Sequence, residues 1–502
     1  MVGVQISTAV RTGPAVTGVA PDSTFFVVGQ TQRGKDNVPK AVTSLEDYST
    51  YFGGYEADKY TYTAVKTFFE EGGANCVVAR SSKSTHVKAT RDLLTSGGST
   101  GIRLTAAGRG LWGNSLKVKV ALVNSLMDVT IAFNENSVDT VIFSASGIAN
   151  TGLLISAINN DTLAPHYVTA TLLAGSAGAT DVLVITASSD YVSFTSGAES
   201  GAIALSDYTT TLATFTEDLG GGCVAIPGVA SGTLASVDEV IYNALKTHAK
   251  NFNRIALCSF ASGQTAAQVR TTSTSYGVAD NTDHEYMAFF YPWVNVPSGT
   301  GVTLTTPPEA YVAAVRSRTQ NSTGPWKAYA GVDSSSRFVT GIAEAISSTE
   351  GNLLDDNRVN AIRIISNDVR IYGARSHSTN TAQFRFITAR ETVNFVVNQA
   401  NIALEPLVFS TIDGRKTIYA DIVAALQSVL EPVRIAGGLY EGFSATGVRL
   451  DYGYTIKVDD SLNPATQLES GLVKAQVGIR VSTIGDKINV NIVKSNLTTA
   501  LV

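Results

Sequence analysis

The stretch FFVVGQTQRGKDNVP, residues 25–39, sets Gly29 and Gly34-Lys35 in the spacing G-x-x-x-x-G-K behind four apolar residues. That spacing is the frame of a phosphate loop, in which backbone N–H groups cradle an anion and the lysine neutralises it. A working loop continues with Ser or Thr, to hold magnesium, and opens directly into a helix. Here Asp36 sets a carboxylate against phosphate charge, and Pro39 drives Val38 toward an extended form. The residues therefore predict a charged loop between two elements, not a nucleotide site.

Other chemical patterns meet similar obstacles. Gly97-Gly-Ser99-Thr-Gly101 spells G-x-S-x-G, but a nucleophile elbow needs a strand before it and a helix after it, and the strand-like IRLTA follows. Gly108-Arg-Gly110-Leu-Trp-Gly113 spells G-x-G-x-x-G, yet it runs into SLKVKV, so no helix N-terminus would meet a pyrophosphate. Gly220-Gly-Gly222 lacks the spacing and reads as a crossover linker. The five histidines, His86, His166, His248, His284 and His377, share no ligand spacing. Cys76, Cys223 and Cys258 lie far apart and read as small buried hydrophobes, a later bond between subunits being the alternative. Asp355-Asp356 and Asp459-Asp460 read as solvated turn caps, with a cation site as the alternative. The YPW at 291 and WKAY at 326 read as buried anchors, with a ligand platform as the alternative. No catalytic, metal or cofactor site is expected, and no enzyme.

The bulk properties narrow the class. A chain of 502 residues with 44% hydrophobic content has material for two to four cores. A net charge of −5 argues against a direct nucleic-acid partner, which calls for a basic field. No apolar run reaches the ~18 residues of a membrane span, so no membrane insertion is expected. The start MVGVQISTAVRTGP has neither a basic nor an apolar export region, so no signal peptide is expected.

The elements that must position these residues follow from periodicity. A strand at Phe25–Val28, a helix over 63–71 stopped by Gly72-Gly73, and a strand CVVAR predict an α/β layer. From Ser99 the composition turns to Thr, Ser, Ala and Gly, with strand-like SLKVKVAL and DVLVITAS. Residues 99–220 hold four basic against ten acidic side chains, net −6, which leaves the remainder near neutral. They predict an inserted β-rich unit. A capping box at Ser236–Glu239 opens a helix with Val237, Val240, Ile241, Ala244 and Leu245 on one face, and RIALCSF and YMAFFYPW resume the apolar strands. IRII and VRIY predict two short strands. A helix over 381–404 places Phe386, Ala389, Val393, Val396, Val397, Ala400 and Leu404 on one side, and a second places Ile418, Ile422, Leu426, Val429 and Leu430. Alternation in VRLDYGYTIKV, in VKAQVGIRV and at Ile488, Val490 and Ile492 predicts three strands apolar on one side.

The expected class is α/β (α+β) and multidomain. An N-terminal extended arm spans 1–20, and a discontinuous α/β domain spans 21–98 plus 221–345. An inserted β-rich domain, sandwich- or barrel-like, spans 99–220. A C-terminal α+β core domain spans 346–485, and an arm strand spans 486–502.

In this order the segments resemble the tail sheath proteins of contractile phages, a family shared with R-type pyocin and type VI secretion sheaths. The likeness rests on APDSTFFVVGQTQRGKDNVPKAVTSLEDYSTYFGG with TYTAVKTFFEEGGANCVVAR, on GLWGNSLKVKV, and on FFYPWVNV with PPEAYVAAVRSRTQNSTGPWKAYAG. It continues through DDNRVNAIRIISNDVRIYGARSH to DDSLNP and the tail, leaving out 121–220. Tyr372 stands where the family often has Trp, and the segment after EPL lacks the usual Trp. One chain carrying every segment looks more like a phage or pyocin sheath than the two-chain type VI arrangement.

The resemblance implies a structural subunit polymerising as stacked six-membered rings in a helical cylinder around a tail tube. It implies contraction from a metastable extended state without nucleotide or cofactor. Implied partners are further copies of the chain, the tube, the baseplate and the tail terminator. The implied location is the virion tail, after assembly in the host bacterial cytoplasm. It also implies β-addition between subunits through the arms, with Val4, Ile6, Ile488, Val490 and Ile492 as candidates, and Arg415 and Lys416 as candidate tube-facing residues. A sheath of a phage-derived, pyocin-like injection system is the alternative, and a surface β-rich adhesin the more distant one.

Overall fold

A computed structural model describes residues 22–95, 101–173, 185–188, 190–229, 237–279, 282–298 and 301–487. Its centre is an eight-stranded sheet. From one edge the strands are Asp368–Tyr372, Val359–Ile365, Met287–Tyr291, Ile255–Ser259, Gly222–Ala225, Thr24–Gly29, Cys76–Arg80 and Lys40–Val42. The inner six pair in parallel, and the two outermost are antiparallel additions. Continuous apolar runs such as FFVV suit this place, because a parallel strand between helical layers is buried on both faces. Phe25 and Val27 point into one core with helices Leu45–Phe52, Tyr60–Glu70 and Glu309–Ser322. Phe26 and Val28 point into the other, with helices Leu205–Leu212, Val237–Asn251 and Ala266–Ala279.

The sheet does not respect the expected boundary at 345/346. Strand Val359–Ile365 pairs in parallel with Met287–Tyr291, and the hairpin to Asp368–Tyr372 closes that edge. Ser366 and Asn367 both adopt positive φ there, the backbone a tight two-residue hairpin needs.

The β-rich insertion has its own core, from Ala89 to Phe194. A three-stranded sheet, Thr90–Leu94, Gly101–Ala106 and Val168–Leu172, faces a four-stranded one. The second comprises Val192–Ser193, Leu116–Val123, Leu126–Glu135 and Val138–Ile148. Asn124-Ser125 and Asn136-Ser137, all at positive φ, turn its two long hairpins. The insertion thus begins before the expected residue 99. Its expected end at 220 is also displaced, since Tyr208, Leu212 and Phe215 bury in the core of the large sheet. The change in composition marks the Thr- and Ser-rich sequence, whereas the apolar face of helix Leu205–Leu212 decides where that segment packs.

In the C-terminal part, helices Ile387–Leu404 and Thr417–Ile435 pack on each other and on the second of two small sheets. These are Gly442–Phe443 with Arg449–Asp451, and Tyr454–Lys457 with Gln476–Ile479. Ile418, Ile422, Leu426 and Leu430 are buried, as the second helix's periodicity predicts, and Val429 of the same face is half-buried. The first helix differs: its buried residues include Thr388, Arg390, Glu391, Thr392, Asn394 and Gln399, while Ala389 and Val393 are half-buried. The face toward the large sheet is polar because it meets buried charge, including Arg316. The helix Val237–Asn251 is also rotated from expectation: Ile241, Tyr242, Leu245 and Ala249 are buried, and Val240 is exposed. The one-sided alternation after 448 buries its apolar side only in its second half: Val448 and Leu450 are 62% and 69% exposed, whereas Tyr454, Ile456 and Val458 are half-buried against the helices.

Candidate functional site

The strand Thr24–Gly29 delivers its C-terminal end to the point where the sheet's connections diverge, between Gly222–Ala225 and Cys76–Arg80. In doubly wound sheets the crevice at such a switch point is where ligands bind. Here Tyr60, Thr61 and Tyr208 fill it. The remaining cavity is 60 Å³, lined also by Gly29, Gln30 and Gly228. Ligand sites measure about 300–1,000 Å³. Gln30 Nε2 donates to Tyr208 Oη at 2.7 Å across the gap. A Cβ on Gly29 would lie 2.1 Å from Thr61 Oγ1, so the glycine serves close packing.

The loop after the strand supplies an anion, the Asp36 carboxylate, and its donors come from Arg80 and Arg109. Gly34, at φ 115°, packs its carbonyl against Gly108, where a Cβ would come within 1.9 Å of that oxygen. Two of the glycine motifs meet at this contact. Between them lies the Asp36 carboxylate, 5% exposed. Its Oδ1 accepts from the Arg80 guanidinium, and its Oδ2 from the Arg109 backbone N–H at 2.9 Å. The Arg80 Nη2 donates to the Arg109 carbonyl at 2.9 Å. Burial pulls the Arg80 pKa below its ordinary value, and the Asp36 charge works against that shift. The carboxylate that stands against a phosphate in this loop is thus committed to Arg80 and Arg109.

Arg33 extends the loop into a strap between sheet and insertion. Its Nη2 donates to the Ser49 carbonyl at 2.7 Å, and its Nη1 lies 3.2 Å from Glu135 Oε2 of the insertion. The guanidinium also lies over the rings of Phe133 and Tyr167, at 4.8 and 5.4 Å. Tyr167 Oη donates to the Thr50 carbonyl at 2.7 Å. The sequence signalled charge in this loop but not partners of Arg33 such as Ser49, 16 residues away, and Glu135, 102 away.

The fold also joins residues that spacing kept apart. His284 and His377 meet Nδ1 to Nδ1 at 2.8 Å, and His377 Nε2 lies 3.0 Å from Ser273 Oγ. The distances match a nucleophile, base and orienter, but the protons do not. Ser273 Oγ donates to the Asn357 carbonyl at 2.8 Å, so His377 Nε2–H donates to Ser273, and His377 Nδ1 accepts from His284. All three residues are fully buried, and burial holds the His377 pKa well below the usual imidazole value. The arrangement is a neutral joint between helix Ala266–Ala279 and the segment after Tyr372. Arg316 and Glu391, both buried and paired at 2.7 Å, form a second joint that no sequence pattern announced.

The remaining candidates resolve as follows. The three cysteines are buried and free, and burial pushes the Cys223 thiol up to about 11. Asp355 grips Arg375 through both oxygens, at 2.7 and 2.6 Å. Asp459 caps its own turn through Ser461 Oγ at 2.6 Å. Among the described residues, no group of three or more His, Cys, Asp or Glu is placed to hold a metal ion. Tyr291 and Trp293 are buried anchors, the indole donating to the Phe260 carbonyl at 2.7 Å. Arg415 and Lys416 are exposed before helix Thr417–Ile435, and Lys416 pairs with Asp460 at 2.5 Å. Val4, Ile6, Ile488, Val490 and Ile492 lie outside the described residues, as does most of the G-x-S-x-G motif. No described helix is long and apolar enough to cross a membrane.

A groove of 590 Å³ runs between the first C-terminal helix and strand Gln476–Ile479, its mixed lining including Phe386, Ala389, Val393 and Ile479 beside Arg385 and Arg480. It is where the apolar stripe expected on that helix comes to the surface.

No protein-family model matches the sequence, and no curated protein does. Among solved structures, the sheath tail protein of Listeria innocua matches at TM-score 0.59 and 15% identity, over 87% of this chain and 89% of that one. The contracted helical sheath of the anti-feeding prophage matches at 0.54 and 15%, over 98% and 99%. The contracted sheath complex of PVC, an extracellular contractile injection system, matches at 0.55 and 14%, over 99% and 98%. The chain has the fold of contractile sheath proteins, in the mixed helix-and-sheet, multidomain form the sequence predicts.

Proposed function

We propose that the chain is the structural subunit of a contractile tail sheath. It polymerises as stacked hexameric rings in a helical cylinder around a tail tube. Contraction from a metastable extended state then drives the tube through a host envelope. The observation that carries this reading is the end-to-end match: the likeness to injection-system sheath chains covers 98–99% of this chain. A further neighbour is the anti-feeding prophage baseplate, which supports a baseplate partner. Tube and terminator contacts, the virion location and assembly in the host cytoplasm follow from the same reading. So do an outward-facing insertion and a tube-facing C-terminal part.

The physics of the single chain fits a subunit made for company. The last strands leave apolar side chains in water, and the 590 Å³ groove beside Gln476–Ile479 has the shape and lining for an added extended segment. Residues 2–20 and 488–493 are the candidate donors. A contact that does not close on itself propagates a helical filament. Repacking of intact subunits then supplies the work, with no nucleotide step.

Negative-stain microscopy of purified full-length protein tests the reading: hollow striated cylinders are expected, and discrete particles at every concentration would refute it. Removing residues 2–20 should leave folded subunits that do not form long cylinders. Phage-tail and injection-system sheaths stand about equally near in structure, so a sheath of a phage-derived injection system is the second reading.

A further inference from the structure

Past Val481 the chain leaves its ladder. Val481 pairs with Leu439, and the Ser482 N–H donates to the Gly438 carbonyl at 3.0 Å. Residues 483–487 make no further backbone–backbone hydrogen bond among the described residues. Charge holds them instead. Asp486 Oδ2 lies 3.2 Å from Arg385 and 3.6 Å from Arg375, and Lys487 Nζ lies 4.0 Å from Asp355. On one side the segment walls a 490 Å³ cavity floored by Trp326 and Tyr372. On the other, Asp356 and Arg358 share a 320 Å³ polar cleft with Arg375 and Arg385.

The two partners of Asp486 differ in what they lose if it leaves. Arg375, 9% exposed, already has both oxygens of Asp355. Arg385 is 40% exposed and returns to water. Withdrawing Asp486 therefore strands no buried charge, whereas withdrawing Asp355 would remove the bidentate partner of a buried guanidinium.

We propose that Asp486 is an electrostatic clasp at the root of the C-terminal segment, holding residues 483–487 on the body and opening without unfolding it. Its second partner is shared with a stronger competitor, which makes release inexpensive. The contact is half in solvent, which makes it sensitive to salt. In an assembly, such a clasp lets the chain beyond residue 487 change direction while the subunit stays rigid. The clasp itself does not depend on the assembly reading.

The test is hydrogen exchange with mass spectrometry on full-length protein, followed in peptides covering 479–487. Asp486→Asn should speed exchange of the Ser482 amide, the last one bonded at the root of the segment, by about two- to fivefold. In wild type, roughly 1 M NaCl, which screens charge within about 3 Å, should do the same. Acrylamide should quench Trp326 more in the variant, since Trp112 and Trp293 are buried at 8% and 6% exposure. The melting temperature should stay within about 2 °C of wild type, while Asp355→Asn should lower it by more. Unchanged exchange and quenching in Asp486→Asn would overturn the clasp. So would a loss of melting temperature equal to that of Asp355→Asn, which would make Asp486 part of the fold.

Discussion

At the scale of single residues, the chemistry is internal. Asp36 neutralises a buried Arg80, so Asp36→Asn should cost about 3–5 kcal/mol of unfolding free energy, the price of an uncompensated buried charge. Neighbouring Lys35→Ala should stay within about 0.5 kcal/mol and show no nucleotide-dependent change. Denaturant titration with and without ATP measures both, and a large effect of Lys35 would restore the phosphate-loop reading. Glu309 offers a pH signature. It is fully buried against Ser259, and burial raises its pKa to about 7, from 4.5. A raised folded pKa means that its stability contribution is complete below pH 4.5 and is lost as pH rises through 7. Glu309→Gln should therefore match wild type near pH 4.5 and exceed it by about 1–3 kcal/mol at pH 8. His377 and His248 run the other way: burial depresses both, His248 to about 3, so their contribution is present above pH 6.5 and falls away on acidification. Comparing variant and wild type at each pH separates Glu309 from this background.

At the scale of elements, what was legible was whatever one strand or helix settles alone. The apolar runs FFVV, CVVAR, IALCS and MAFFY each became a parallel strand, because burial on both faces leaves no room for polar alternation. What was not legible depended on partners far along the chain. Helix Ile387–Leu404 turns Glu391 inward because Arg316 waits there, 75 residues earlier. His284 and His377 meet across 93 residues. Glu71 is fully buried at a helix end because the backbone N–H groups of Arg337, Phe338 and Val339 converge on it at 2.8–3.1 Å. The glycine motifs match phosphate loops on paper for a related reason, since they encode close backbone approach, Gly34 against Gly108, and that requirement is shared with phosphate loops. The strap also makes an element-scale prediction. The insertion has a separate core, so Arg33→Ala, which frees Glu135 and uncovers Phe133 and Tyr167, should weaken the join more than either core. Calorimetry should then resolve an earlier transition for the insertion, while a single sharp transition would show that other contacts carry the join.

At the scale of the whole molecule, stability and exposure are divided along the chain. The large sheet is covered on both faces, and the insertion is closed around Trp112, Phe133 and Phe194. The C-terminal part buries less: Leu430, Val433 and Leu439 form a small cluster with Val396, and Ile418, Tyr419, Ile422 and Leu426 a second, while Tyr440, Phe443, Val448 and Leu450 each stand more than half exposed. Large apolar side chains gathered within 440–450 and left to water suit an interaction surface. Two substitutions then separate folding from assembly. Leu430→Ala empties a fully buried position and should cost about 2–5 kcal/mol, lowering the melting temperature of the subunit itself. Leu450→Ser alters a side chain already 69% exposed, so it should leave the subunit's unfolding within about 0.5 kcal/mol of wild type. If the exposed strands are covered by a second copy, that same change should reduce the pelletable polymer several-fold at fixed protein concentration. Sedimentation beside a melting curve reads both quantities on one sample. Loss of polymer with an unchanged melt assigns the surface to assembly, and unchanged polymer removes Leu450 from the contact between subunits.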